Sequence, residues 1–154
     1  MSIWWSLHLR RDAASVPLAR RLLLGTMENA GVDPDISYDL SVALSEACAN
    51  AVEHGGGRGA GEASAAYRVT AYLDGEKCRI EVADSGPGFP VRRGGQCAAY
   101  AAQPPSPTAE SGRGLCLIEQ LADHVHVRNR PGRGAVVSFD KILKWREGAL
   151  LKVS

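Results

Sequence analysis

The segment "VDPDISYDLSVALSEACANAVEHGGG", residues 32–57, constrains the fold more than any other part of the chain. Asp33 suits a helix N-cap, because its carboxylate can accept an orphan backbone N–H, and Pro34 suits the first helical position, because it has no N–H to leave unpaired. Ile36, Leu40, Ala43, Ala47 and Ala51 then recur at steps of three and four. That period predicts one long amphipathic helix with a core-facing stripe, closed by His54 and Gly55. Beside the stripe run Glu46, Asn50 and His54 at four-residue steps. A helix sets this carboxylate, amide and imidazole on one ridge, at the edge of the buried surface. Alone, the row suits a ligand site or a solvated helix face equally, with His54 near the negative end of the helix dipole.

Elements on either side can be read the same way. Ile3 to Leu9 alternates and is rich in Trp and Leu, which predicts a strand. Ser15 is the expected cap of a helix carrying Val16, Leu18, Leu22 and Leu23 and ended by Gly31. "GGGRGAGEAS" reads as a flexible loop at about residues 55–64. "AAYRVTAYLDGEKCRIEVAD" reads as two strands around an Asp74-Gly75 turn. From Ser85 to Gly112 the chain is irregular, and a loop of that length is usually functional or disordered. "GLCLIEQLAD" returns to helical spacing through Leu115, Leu117, Ile118 and Leu121, and "HVHVRNRPGRGAVVSFDKI" is a second hairpin. The order predicts a single domain over 1–154: an α+β two-layer sandwich with helices on one face of a mixed, mostly antiparallel sheet.

Composition removes several classes of function. Eighteen Lys and Arg nearly balance seventeen Asp and Glu, for a formal charge of +1. No electrostatic case follows for a nucleic acid or an anionic membrane as partner. No apolar run approaches the ~20 residues of a membrane span, and "MSIWWSLHLRRD" is not a signal peptide. Cys48, Cys78, Cys97 and Cys116 lie far apart with no C-x-x-C pair, as expected of reduced thiols in a cytoplasmic protein. Cys48, Cys78 and Cys116 are expected to be buried as small hydrophobes. No Walker-type G-x-x-x-x-G-K-[ST], no dinucleotide G-x-G-x-x-G and no zinc spacing occurs. His124 and His126 alternate on a strand and read as surface or core.

Two further stretches carry chemistry. In "VADSGPGF" an apolar strand delivers Asp84 at its end, followed by Gly86 and Gly88. Such an Asp can accept a hydrogen bond from a ligand amine while glycines let the backbone pass close to a ring; the same residues also make an ordinary turn. In "ESGRGLCLIEQLAD" Gly112 and Gly114 sit where the long loop enters a helix, and Arg113 adds charge. A glycine-rich turn at a helix N-terminus suits phosphate, or is simply a hinge.

Together the three stretches resemble the GHKL ATPases, the superfamily that includes histidine kinases and DNA gyrase. "SEACANAVEHG" is similar to the N box, "DSGPGF" to the G1 box and "SGRGLCLI" to the G2 box, in the right order and with a lid-like loop at about 88–113. Within that superfamily the chain most resembles the small anti-sigma factor serine kinases of bacteria, with a strand and helix before the N box and no phosphoacceptor helix pair. The resemblance implies ATP and Mg²⁺ as cofactors. It places Mg²⁺ on Asn50, the adenine amino group on Asp84 and the phosphates around Gly86, Gly88, Gly112, Arg113 and Gly114. Glu46 is the implied catalytic residue, accepting or orienting the proton of the acceptor hydroxyl. His54 completes the site edge or only finishes the helix.

The implied partners are a sigma factor and a STAS-domain antagonist that is phosphorylated on Ser or Thr, with a possible homodimer. Trp4 and Trp5 read as core, or as an exposed strand edge that pairs with a second copy. Arg10, Arg11, Arg20 and Arg21 are candidates for a basic surface meeting an acidic partner, or for solvated positions. Two competing readings are a nucleotide-responsive binding module without kinase activity and a detached histidine-kinase-type catalytic domain.

Overall fold

The computed structural model describes residues 2–54, 66–84, 109–130 and 134–148, with His54, 109–114 and 129–130 placed by backbone alone. Along the chain these form β1 (Ile3–Arg10), α1 (Ser15–Ala30), α2 (Pro34–His54), β2 (Ala66–Leu73), β3 (Lys77–Asp84), α3 (Ala109–Leu121), β4 (His124–Arg130) and β5 (Gly134–Ile142). The sheet order is β1-β2-β3-β5-β4. Each of its pairings is antiparallel, so the expected mixed sheet is antiparallel throughout the described strands. This follows from connectivity: β2–β3 and β4–β5 are hairpins, and β3 meets β5 head to tail.

The helices form one layer. α2 lies in the middle, against α1, α3 and strands β2, β3 and β5; α1 reaches β1 and α3 reaches β4. The predicted stripe is the face α2 buries: Ile36, Leu40, Ala43, Ala47 and Ala51 are at most 8% exposed. Beneath it, the alternating inner face of the sheet supplies Val69, Ala71, Leu73, Ile80, Val82, Val137 and Phe139, all buried. The outer face carries Trp4, Tyr72, Arg79, Asp140 and His124 in one register row. His124 Nδ1 lies 2.8 Å from Asp140 Oδ1.

Helix ends follow local chemistry. Asp33 Oδ1 accepts the Asp35 N–H at 2.8 Å, which is the cap predicted for α2. Gly31 closes α1 at φ 90°, its N–H donating to the Met27 and Glu28 carbonyls. The start of α1 differs from expectation. Its N-cap is Ala14, without a side-chain cap, because the Ser15 hydroxyl is engaged elsewhere. Ser15 Oγ donates to the Asp12 carbonyl at 2.7 Å and meets Tyr67 Oη at 2.6 Å. With the Ser15 proton so used, Tyr67 donates to Ser15 and the Cys48 thiol bonds the phenol in turn. This buried chain of polar groups joins α1, β2 and α2.

The first hairpin also turns one residue later than expected. Asp74 and Lys77 pair around Gly75-Glu76, with the Asp74 carboxylate accepting the Glu76 and Lys77 N–H groups. The Lys77 bond above all holds that carboxyl below its usual range. At the same end of the molecule, the segment after β5 fastens both turns. Leu143 N–H donates to Glu76, Asp33 N–H to Lys144, Arg146 N–H to Gly31, and Trp145 Nε1 to Gly75. No helix among the described residues is long and apolar enough to cross a membrane.

The tryptophan pair divides by strand alternation. Trp5 is half-buried on the inner face, donating Nε1–H to Thr26 Oγ1 at 3.1 Å, while Trp4 is 65% exposed on the outer face. A core reading therefore fails for Trp4. Cys48 and Cys78 are buried as expected, Cys116 is half-buried, and Cys97 lies outside the described residues.

Two outcomes are expected. Leu40 is fully buried, so Leu40→Ala should lower stability by about 3 kcal/mol in a urea melt. Burial pushes the Cys48 thiol up to about 12 and raises that of Cys78. Iodoacetamide at pH 8 should therefore spare both in the native protein and label both once it is unfolded. As pH rises above about 8.5, the unfolded chain loses thiol protons that the folded chain keeps, so stability should decline.

Candidate functional site

The strand registers and helix ends bring those predicted site residues that the structure describes toward one end of the molecule. β1 ends where β2 begins and β3 ends, since Leu9 pairs with Tyr67 and Tyr67 with Asp84. β5 begins there too, with Asp84 Oδ1 accepting the Ala135 N–H at 3.2 Å. Gly134, at φ 108°, precedes that amide and sits in a backbone region side chains rarely adopt. The C-terminal turn of α2 arrives at this end, tied to the β1–α1 connection by Arg11, whose Nη1 donates to the Val52 carbonyl. α3 begins here as well, since its last residue, Leu121, accepts from Lys141 Nζ near the opposite end of β5.

On α2, Glu46 is half-buried and Asn50 is only 5% exposed. Asn50 thus lies deeper than the edge position expected from the sequence. Its Nδ2 is buried and has no hydrogen-bond partner among the described residues. Leaving such a group unpaired costs about 1–3 kcal/mol, so the position keeps a polar amide whose partner is not supplied by the described residues. An amide's oxygen and nitrogen exchange by a half-turn of the side chain, so Asn50 can offer either a donor or an oxygen ligand. Among the described residues no three His, Cys, Asp or Glu side chains converge on a metal position. A neutral amide oxygen with a carboxylate one turn away fits Mg²⁺, which takes few protein ligands and keeps waters and phosphate oxygens.

Asp84 is half-buried at the strand end. The bond from Ala135 orients its carboxylate. Gly86, Gly88, the loop at 55–64 and the lid segment up to residue 108 lie outside the described residues, as does the side chain of His54. The third stretch is placed differently from the sequence reading. α3 is continuous from Ala109, so Gly112, Arg113 and Gly114 lie within its first two turns rather than at a loop–helix junction. Among the described residues, the N–H groups without acceptors inside the helix are those of 109–111, and the positive end of the dipole lies there.

Sequence reasoning missed two residues at this end. Tyr67 was only one more apolar position on an alternating strand, yet it bonds Ser15 and Cys48 and pairs with Asp84. Arg11 was read with Arg10, Arg20 and Arg21 as a surface cation; the other three are exposed, and Arg11 is half-buried against α2. Arg20 instead lines a groove of about 540 Å³ between α1 and α2, shared with Leu24, Tyr38 and Arg146.

Comparison with known proteins agrees with this geometry. Residues 9–141 match the histidine kinase-like ATPase domain. The chain is 33% identical over 132 residues to the serine-protein kinase RsbW of Bacillus licheniformis, covering 83% of this chain and 78% of that one. It is 32% identical over 119 residues to the anti-sigma F factor of Pasteuria penetrans, covering 75% of each. Two solved structures share the fold. The RsbU and RsbW domains of a Mycobacterium tuberculosis protein align with a TM-score of 0.62 at 20% identity, over 91% of this chain and 33% of that one. The SiaB–SiaC complex from Pseudomonas aeruginosa aligns with a TM-score of 0.55 at 16% identity, over 90% of this chain and 89% of that one. With Asn50, Asp84 and the start of α3 at one end of the sheet and the family match spanning most of its length, the chain belongs to the histidine kinase-like ATPase family.

Proposed function

We propose that the chain is an anti-sigma factor and an ATP-dependent protein serine/threonine kinase, which sequesters a sigma factor and phosphorylates a STAS-domain antagonist. The observation that carries the reading is the buried amide of Asn50, without a partner among the described residues and one helical turn from the half-buried carboxylate of Glu46. The names of its relatives, serine-protein kinase and anti-sigma factor, support the two halves of the reading. Cytoplasmic location is the reading that four widely spaced cysteines with no C-x-x-C pair support.

Phosphoryl transfer needs alignment and charge neutralisation more than covalent chemistry. Mg²⁺, when bound, neutralises the β- and γ-phosphates, and Asn50 would hold it. Asp84, oriented by the Ala135 N–H, would accept a hydrogen bond from the adenine amino group. The open N–H groups in the first turn of α3 would take phosphate oxygens, with Gly112, Arg113 and Gly114 in the turns beside them. Gly86 and Gly88 belong to the same nucleotide site in this reading. Glu46 would accept the proton of the acceptor hydroxyl or orient it. Retention of this carboxylate favours a kinase over a binding module. A second copy of the chain is the proposed occupant of the exposed edge of β1, where Trp4 stands opposite Tyr72.

Glu46→Gln should lower phosphoryl transfer at least ~100-fold while ATP binding, measured by calorimetry, stays within about twofold; unchanged transfer would remove Glu46 from the chemistry. Asn50→Ala should abolish the Mg²⁺-dependent part of ATP binding. The phosphorylated antagonist should carry an acid-stable phosphoester. A product labile to acid and stable to alkali would be phosphohistidine, and the serine-kinase reading would fall.

A further inference from the structure

Arg11 is the half-buried arginine at the site end whose role the sequence did not signal. Basic side chains are seldom buried unless paired. Here Nη1 donates to the Val52 carbonyl at 3.3 Å, and Nε is buried without a partner among the described residues. Val52 lies in the last turn of α2, two residues beyond Asn50. Carbonyls of a final turn have no acceptor role within the helix, and the negative end of the dipole favours a cation beside them. The guanidinium therefore suits the place it occupies.

What it is attached to matters as much. Arg11 follows β1 directly and enters a tightly bonded turn. Asp12 N–H donates to the Arg10 carbonyl at 2.8 Å, Ala14 N–H to Asp12 Oδ1 at 3.1 Å, and Ser15 N–H to the Asp12 carbonyl at 2.9 Å. Ser15 continues to Tyr67, which pairs with Asp84. One end of the strut is thus fixed to the strands that deliver Asp84, and the other to the helical turn that carries Asn50.

We propose that Arg11 is a positioning residue for the kinase site, a strut that sets the C-terminal turn of α2 against the β1–α1 turn and so fixes the depth of the Asn50 amide. This rests on the reading of Asn50 as the residue that holds the nucleotide-bound ion. Arg11 touches neither nucleotide nor acceptor in this role; it acts through α2, as outer-shell partners of metal ligands do. A lysine can reach the carbonyl only as a point charge, without the planar fork.

The test compares wild type, Arg11→Met, Arg11→Lys and Asn50→Ala in the full chain. Two quantities are read: the gain in affinity for a fluorescent ATP analogue on adding Mg²⁺, and hydrogen–deuterium exchange of residues 50–54 in the absence of nucleotide. Arg11→Met should cut the Mg²⁺-dependent gain about tenfold and speed exchange in that turn. Arg11→Lys should lie between it and wild type in both. An undiminished gain in Arg11→Met overturns the proposal, and so does a lost gain without faster exchange. If Arg11→Met does not fold, Arg11→Lys decides: behaviour equal to wild type in both quantities overturns the strut, and a partial loss of both supports it. If Asn50→Ala keeps the full gain, the reading of Asn50 falls instead.

Discussion

The alanine-rich face of α2 against the centre of the sheet is the contact on which everything else is arranged. Ala43, Ala47, Cys48 and Ala51 are essentially buried and small. They let a 21-residue helix lie close over β2, β3 and β5 while Leu40 and Leu44 fill the space toward its neighbours. Close approach brings the adjoining ridge down with it. Asn50 is buried because the positions beside it are alanines; larger residues there would lift the turn off the sheet. The same packing that stabilises the domain therefore buries the Asn50 amide.

Around that contact, polar joints gather at both ends of the molecule. At one, main-chain bonds from residues 143–146 clasp the α1–α2 turn and the β2–β3 turn together. At the other, the Ser15–Tyr67–Cys48 chain and Arg11 join the same helices and strands through side chains. Side-chain joints depend on single residues, so substitutions alter the site end more readily than the clasped end. Burial keeps the Cys48 thiol protonated, so it serves this joint as a neutral partner and not as a nucleophile.

Periodicity made the long helix, its stripe, its Asp33 cap and the strand ends legible in the sequence, because each depends on near neighbours. What escaped depends on residues far apart. Ser15 has the chemistry of a cap, but a tyrosine 52 positions away claims its hydroxyl. Trp4 and Trp5 look alike in composition and take opposite faces, since alternation and an edge position decide exposure. Arg11 shares its surroundings in sequence with three exposed arginines and differs only in what lies across from it. For the site, the order of three motifs carried Glu46, Asn50 and Asp84. The depth of Asn50 and the amide that orients Asp84 needed the sheet register.

The continuous start of α3 has a thermodynamic consequence for the ligand. Glycine in a helix interior costs about 1 kcal/mol relative to alanine, and α3 holds two within its first six residues, Gly112 and Gly114. The opening turns are thereby among the least costly parts of the helix to rewind. A nucleotide that requires those amides in another arrangement draws on a minor conformer, and its apparent affinity is reduced by that conformer's population. Replacing either glycine with alanine would deepen the helical state and weaken a ligand that never touches a methyl group.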